Sequence, residues 1–110
     1  MHELLKELTI VIPTKNRPLW LLRIFKYYSK YNFHGKILIA DSSSKDLFEQ
    51  IKMQSLKYKN LDIEILNYPD LNCESAIYAV SKNIETDYSV FLADDDMLLI
   101  DGLAEAVSFL

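Results

Sequence analysis

The sequence contains little glycine, proline or cysteine. Its 110 residues include two Gly, three Pro and one Cys, and no repeat or low-complexity segment is present. Two glycines are too few for the Gly-rich phosphate-binding loops of dinucleotide-binding and Walker-type proteins. Because half of the residues are apolar, a largely disordered chain is also excluded. The composition predicts a single globular domain over residues 1–110.

Two further absences concern location. Cys73 is the lone cysteine, so it cannot form an intrachain disulfide, and no His or second Cys stands at ligand spacing to give it a catalytic role. Apolar runs stay short of the roughly 18 residues that a membrane-spanning helix requires, because Asp101 and Glu105 interrupt the longest one. The sequence therefore predicts a reduced, cytoplasmic setting and no transmembrane segment.

Positive charge is scarce in the second half of the chain. Residues 56–110 hold three Lys and Arg against eleven Asp and Glu, whereas residues 1–55 hold nine against five. Proteins that bind nucleic acid use clustered Lys and Arg to neutralise the phosphates, so this distribution argues against a nucleic-acid partner. An acidic half is better suited to a bound cation.

Short runs rich in Ile, Val and aromatic residues alternate with stretches of helical period. The runs predict strands at 8–13, 36–41, 61–66 and 88–93, and the apolar spacing predicts helices at 18–30, 45–56 and 72–84. The first two strands are continuously apolar, as in a parallel sheet that is buried on both faces. Alternating strands and helices require that each helix connects two parallel strands as a crossover. The predicted fold is therefore α/β with a doubly wound, mainly parallel, Rossmann-like sheet.

Several short polar residues are candidate helix caps. Ser43 with Asp46 forms a weak capping box for the second helix, and Asp101 precedes Gly102 where a last helix could begin. Asn16 is a candidate cap for the helix that Pro18 starts. These assignments give the polar residues a purely structural role.

Polar residues also collect where three of the predicted strands end. They are residues 14–17 after the first strand, Asp41 at the end of the second, and residues 94–96 after the fourth. Ligands of doubly wound sheets bind in the crevice beyond the carboxyl ends of the strands. These residues are therefore candidates for one binding site.

The acidic triplet Asp94, Asp95 and Asp96 needs a compensating charge. Two carboxylates about 4 Å apart repel by roughly 1 kcal/mol in water and by about four times that near a protein surface. Mg²⁺ or Mn²⁺ is held by one or two carboxylates together with substrate phosphates. The triplet therefore predicts a divalent cation and a phosphate-bearing partner.

A structural interpretation stays open for each of these residues. Aspartates in such turns often serve as caps without a ligand, and Asp41 precedes three serines that are ordinary turn residues. Lys15 and Arg17 are equally compatible with a solvated surface.

Three segments together resemble a known family. IPTKNRP at residues 12–18, AD at residues 40–41 and TDYSVFLADDDML at residues 86–98 are similar to the N-terminal, nucleotide-sugar-binding half of a family 2 glycosyltransferase of the GT-A fold. The resemblance implies a transferase that takes a sugar from a nucleotide-diphosphate donor, often UDP-linked, with Mg²⁺ or Mn²⁺. It also implies a saccharide or lipid-linked acceptor, and hence a place in the cytoplasm or at the inner membrane surface.

The resemblance assigns roles to individual residues. It implies that the first loop contacts the nucleoside, and that Asp41 contacts the base. The residues of the first loop are Pro13, Thr14, Asn16 and Arg17. The acidic motif of the family fits in two registers, with Asp94 on the ribose and Asp96 on the metal, or with Ala93 in place of the first acid and Asp95 on the metal. We therefore assign Asp94 to the sugar nucleotide and both Asp95 and Asp96 to the metal.

Members of this family continue past the acidic motif to strands that supply the catalytic base. The resemblance thus implies that residues 1–110 are one half of a longer domain, with the base beyond residue 110. On this interpretation we expect no turnover from the chain alone, and self-association through an exposed sheet edge and the last helix.

Two rival functions remain. Receiver domains of signalling proteins are also doubly wound and bind Mg²⁺ through acids at strand ends. They need an acidic pair after the first strand and a phosphate-accepting Asp after the third, where this chain has residues 14–17 and 67–70. An interaction module without chemistry is the other rival, and it leaves the triplet unexplained.

Overall fold

The computed structural model describes residues 2–110, with side chains from Leu4 onward. A 3₁₀ helix, His2–Glu7, precedes strands and α-helices that alternate along the described chain. The strands are β1 Leu8–Thr14, β2 Lys36–Asp41, β3 Asp62–Asn67 and β4 Tyr88–Phe91. The helices are α1 Pro18–Lys30, α2 Lys45–Ser55, α3 Cys73–Ser81 and α4 Ile100–Phe109.

All four strands form a parallel sheet with the order β3-β2-β1-β4. The predicted α/β fold with a doubly wound, Rossmann-like sheet is confirmed. Thr14 is in register with Asp41, and Asp41 with Asn67, so β1, β2 and β3 end at the same level. The chain runs outward from β1 through β3 and then returns to the other side of β1 as β4. The strand order therefore reverses between β1 and β4.

Alternate residues of β1 are buried on opposite faces of the sheet. Ile10 and Ile12 belong to the larger cluster, with apolar residues of α1, α2 and α4, whereas Val11 lies with Ala76 and Val80 of α3. The continuous apolar run of β1 is explained because both faces of the strand are covered.

The predicted helices 18–30, 45–56 and 72–84 are observed as α1, α2 and α3, and α3 ends three residues earlier, at Ser81. The inner side of α1 is fully buried, and its residues are Leu21, Ile24, Phe25 and Tyr28. Helix α3 buries Ala76 and Val80. In α2 only Ile51 is buried. This helix lies towards the β3 edge, where Leu47 and Phe48 are half-buried and Met53 is exposed.

The predicted caps of α2 and α4 are wrong. Ser44 is the N-cap of α2 and makes no side-chain capping bond, while the hydroxyl of Ser43 accepts from the backbone N–H of Asn16 at 2.7 Å. Helix α4 begins at Ile100, one residue before Asp101. The hydroxyl of Ser43 is thus bonded to Asn16, 27 residues earlier in the chain. This contact joins two loops at the strand ends, and a capping motif does not predict it.

One of the two glycines stands at a close approach of the backbone. A Cβ atom on Gly35, just before β2, would lie 2.5 Å from the carbonyl oxygens of both Leu5 and Leu8. Real Cβ atoms essentially never come this close, so a side chain here would push the start of β2 away from β1.

None of the helices in residues 2–110 combines the length and the hydropathy that crossing a membrane requires. The sheet ends at β4, where Phe91 is 59% exposed. Self-association through this edge stays a prediction.

Candidate functional site

The candidate site lies where the strand order reverses. Three segments meet the carboxyl edge of the sheet, and we call them the β1 loop (residues 15–17), the β2 loop (residues 42–44) and the acidic loop (residues 92–99). Doubly wound sheets bind their ligands at such a reversal point. A pocket of about 260 Å³ lies there and is lined by Pro13, Thr14, Lys15, Arg17, Cys73, Ala93, Asp94 and Asp95.

Asp94 points into the protein. It is 5% exposed, its Oδ2 accepts from the hydroxyl of Thr14 at 2.8 Å, and its Oδ1 lies 3.1 Å from Nη1 of Arg17. Both carboxylate oxygens are therefore engaged by the strand and loop on the far side of the reversal point. The structure brings Thr14, Arg17 and Asp94 together, as the alignment of parallel strand ends predicts.

Asp95 and Asp96 point outward. The side chain of Asp95 is 48% exposed, and its Oδ2 lies 3.7 Å from Nη2 of Arg17. Asp96 is exposed, and its backbone N–H closes a turn by donating to the carbonyl of Ala93 at 3.0 Å. Within residues 2–110, no hydrogen bond or ion pair involves the Asp96 carboxylate. Asp95 lines the pocket and Asp96 does not.

Arg17 supplies part of the charge that the triplet needs. Its guanidinium contacts carboxylates of two neighbouring residues, Asp94 and Asp95. Repulsion within the triplet is thus reduced by a cation of the protein itself. The sequence predicted that a metal ion alone would supply this positive charge.

Two residues of α1 complete the wall around Arg17, and neither was predicted. The guanidinium carbons of Arg17 and Arg23 lie 5.6 and 5.1 Å from the ring centre of Trp20, within the range of cation–π attraction. Arg23 also donates to the main-chain carbonyl of Asp95 at 2.8 Å. The spacing of three residues between Arg17, Trp20 and Arg23, which places side chains on one helix face, is the signal that could have identified them.

The base of the acidic loop is fixed by two tyrosines of α1. The hydroxyl of Tyr28 donates to the carbonyl of Leu98 at 2.7 Å and accepts from its N–H at 3.3 Å. Tyr27 accepts from the N–H of Ile100. Burial raises the pKa of Tyr28 to about 12. The loop is therefore anchored at its end, while its acidic tip stays open.

Asn16 joins the β1 loop to the β2 loop rather than capping α1. Its φ of 56° is left-handed, a conformation that asparagine tolerates better than most residues. Its backbone N–H donates to Ser43, and its side-chain oxygen accepts from the N–H of Ser44 at 3.2 Å. Helix α1 begins after Arg17 without a side-chain cap. The cap expected from Asn16 is wrong.

Asp41 is fully buried beside the β2 loop. Its Oδ1 accepts from the N–H of Ser43 at 3.0 Å, and its Oδ2 accepts from the side chain of Asn67 at 3.1 Å. Asn67 also donates to the carbonyls of Asp41 and Ser43. These bonds give Asp41 a structural role in the turn after β2, which is one of the two alternatives that the sequence left open. Contact of Asp41 with a nucleobase, which would require the carboxylate to leave these donors, stays a prediction.

Cys73, for which the sequence predicted no role, lies at the site. It is exposed, it is the first residue of α3, and it lines the pocket. The side chain of Asn72 caps the helix by accepting from the N–H of Ser75 at 2.8 Å. The start of α3 adds weak positive potential to the edge of the sheet.

The donors present fit a metal that is shared with phosphates better than a metal held by protein alone. Within residues 2–110, no three His, Cys, Asp or Glu side chains converge as metal ligands. Two outward carboxylates, Asp95 and Asp96, remain, and their hard oxygens suit Mg²⁺ or Mn²⁺. These ions commonly use one or two carboxylates and take the rest of their ligands from phosphate and water.

The site therefore combines carboxylates, a guanidinium and a polar strand end at the reversal point of a parallel sheet. The sequence matches no model of a known protein family, and no curated protein matches it.

Proposed function

We propose that this site binds a nucleotide-diphosphate sugar, with UDP as the leading nucleotide, together with Mg²⁺ or Mn²⁺. In this proposal the chain is the donor-binding part of a glycosyltransferase. One observation carries it: Arg17 and the pair Asp94 and Asp95 face one another across the reversal point of the sheet.

The mixture of charges favours this ligand class. Free phosphate would be repelled by three carboxylates, and a metal ion alone would be repelled by Arg17, Lys15 and the start of α3. A diphosphate with its metal presents both signs and satisfies both sets of groups. Mixed charge of this kind therefore supports a metal-bound diphosphate over either ion alone.

Different residues carry different parts of the proposed role. Asp95 and Asp96 would hold the metal, and Arg17 would contact the diphosphate. Pro13, Thr14 and Asp94 line the pocket as the wall for the nucleotide. Asn16 and Asp41 would act chiefly by holding the two loops in place, because their side chains are bonded to the protein. When bound, the metal would neutralise charge on the departing diphosphate.

The acceptor and the catalytic base are not assigned to any residue of this chain. The proposal is therefore limited to donor binding, and transfer to a saccharide or lipid-linked acceptor belongs to the parent enzyme.

The strand order argues against the receiver alternative. Receiver domains share the flavodoxin-like order 2-1-3-4-5, in which the third strand lies beside the first. Here β3 pairs with β2, as in the classic Rossmann order. Asp70, the residue that would have to accept phosphate, follows β3 and is exposed.

Calorimetric titration of the chain with UDP and with GDP, each with and without Mn²⁺, tests the proposal. We expect binding that depends on Mn²⁺ and that weakens about tenfold or more in Asp95→Asn, because a metal ligand is lost. Asp87→Asn is the matched control, since it removes the same charge at the amino end of β4. Binding without Mn²⁺ dependence, or equal loss in both variants, contradicts the proposal. Capture of beryllofluoride at Asp70 would favour the receiver.

The single cysteine offers a second readout. Cys73 is exposed and lines the pocket, so bound ligand should slow its reaction with a thiol reagent. We expect protection by UDP with Mn²⁺, no protection by Mn²⁺ alone, and loss of protection in Asp95→Asn. An unchanged labelling rate at a saturating concentration would place the ligand elsewhere.

A further inference from the structure

Arg17 occupies the position between the carboxylates where a bound cation would act. One guanidinium nitrogen lies 3.1 Å from Asp94 and the other 3.7 Å from Asp95. Its side chain is 44% exposed, and its guanidinium carbon lies 5.6 Å from the ring centre of Trp20. The guanidinium thus forms ion pairs with Asp94 and Asp95 and lies within cation–π range of Trp20, which is partly exposed.

The two ion pairs differ in strength. The contact to Asp94 is short and involves a buried carboxylate that Thr14 also holds. The contact to Asp95 is longer and involves a carboxylate that is about half exposed, so solvent screens it more strongly. Breaking the second pair costs less than breaking the first.

We infer that Arg17 is the resident counter-ion of the acidic triplet and that a metal-bound diphosphate displaces it from Asp95. This inference rests on the proposed function and concerns how the same site is regulated. Arg17 keeps its bond to Asp94 and turns its second nitrogen from the carboxylate to a phosphate oxygen. Guanidinium suits both partners, because its five N–H donors match carboxylates and phosphates alike.

A counter-ion that is displaced by the ligand affects binding differently from a merely structural arginine. Arg17 opposes the metal when no nucleotide is present and assists the nucleotide when the metal is present. Loss of the guanidinium should therefore change the two affinities in opposite directions. It should also make the site take up metal before nucleotide, whereas the wild type takes up both together.

The test compares the wild type with Arg17→Gln in Mn²⁺ titrations, in which free Mn²⁺ is followed by electron paramagnetic resonance. We expect the variant to bind Mn²⁺ alone about three- to fivefold more tightly, as the loss of an exposed ion pair allows. We expect it to bind UDP in saturating Mn²⁺ about tenfold more weakly, because a charge-assisted bond to phosphate is lost.

Arg23→Gln is the matched control. Arg23 carries the same charge and lies over the same ring, but it contacts the main-chain oxygen of Asp95 rather than the carboxylate. A general effect of removing positive charge would raise Mn²⁺ affinity equally in both variants. The inference requires the increase to be larger in Arg17→Gln. A cooperative urea transition of Arg17→Gln, with a folded baseline like that of the wild type, would show that the variant is folded.

The possible results separate the inference from the proposed function. If the wild type binds no UDP in the presence of Mn²⁺, the proposed function is wrong. If the wild type binds UDP with Mn²⁺, but Arg17→Gln binds Mn²⁺ no more tightly than Arg23→Gln does, the counter-ion role is overturned and the proposed function stands. Unchanged UDP affinity in Arg17→Gln overturns it as well.

Discussion

Two carboxylates at the same edge of the sheet have opposite surroundings. Asp41, at the end of β2, is fully buried, and its two oxygens accept from Ser43 and Asn67. Asp96, in the acidic loop after β4, is exposed, and in the described chain its carboxylate accepts no hydrogen bond. The sequence makes both residues candidates for one binding site, because each lies at or just after the end of a predicted strand.

The difference shows how the edge divides its tasks. Around β1 and β2, the hydrogen bonds of Asn16, Asp41 and Ser43 fix the two loops. In the acidic loop, Tyr28 and Tyr27 hold the far end, and the exposed carboxylate of Asp96 stays available. Fixed surroundings and free acceptors together are what a binding site requires, because the protein loses little entropy when the ligand arrives.

The largest expected effect contrasts the two acids directly. Asp41→Ala should lower the free energy of unfolding by about 3 kcal/mol, because it leaves the buried N–H of Ser43 without an acceptor and removes the carboxylate that the amide of Asn67 donates to. Asp96→Ala should change it by less than about 0.5 kcal/mol, as is usual for an exposed residue. Urea unfolding of both variants measures the difference.

The same pair of variants separates stability from binding. We expect Asp96→Ala to weaken Mn²⁺-dependent UDP binding without loss of stability. Similar unfolding free energies for the two variants would contradict the division between a fixed and an open part of the site.

The next effect concerns the link between β1 and the acidic loop. Thr14→Val keeps the shape of the side chain and removes the hydroxyl that donates to the buried Asp94. Hydrogen bonds to charged groups contribute about 1.5–3 kcal/mol, so we expect the unfolding free energy to fall by about 2 kcal/mol. Thr14→Ser, which keeps the donor, is the matched control and should lose less. Equal losses would show that the methyl group, rather than the hydroxyl, matters at this position.

The sequence predicted the parts of the fold that hydrophobic period determines. The apolar runs of β1 and β2 indicated strands buried on both faces, and the apolar spacing of residues 18–30 indicated helix α1. The meeting of Thr14, Arg17 and Asp94 was predictable from these elements alone, since parallel strands bring their carboxyl ends to one edge.

The bonds that fix the site were not predictable in the same way. Asn67 ends β3 and Ser43 lies in the β2 loop. Composition alone assigns such short polar residues to loops and does not indicate their partners. Arg23 donates to a main-chain oxygen 72 positions away. Asn16 does not cap α1, and its backbone is left-handed and its side chain is bonded to Ser44. Each contact depends on the mutual position of two loops, which exists only once the sheet has formed.

The smallest effect tests the anchor of the acidic loop and its dependence on pH. At neutral pH, Tyr28→Phe should lower the unfolding free energy by about 1 kcal/mol, the usual contribution of one hydrogen bond.

Burial raises the pKa of Tyr28 from 10.0 to about 12, so the folded state keeps the phenol proton more tightly than the unfolded state does. The stability that depends on this proton is complete below pH 10 and is lost as the pH rises towards 12. The wild type should therefore lose its advantage over Tyr28→Phe across that range. A difference between wild type and Tyr28→Phe that stays constant from pH 8 to 12 would contradict both the raised pKa of Tyr28 and the dependence of the anchor on the phenol proton.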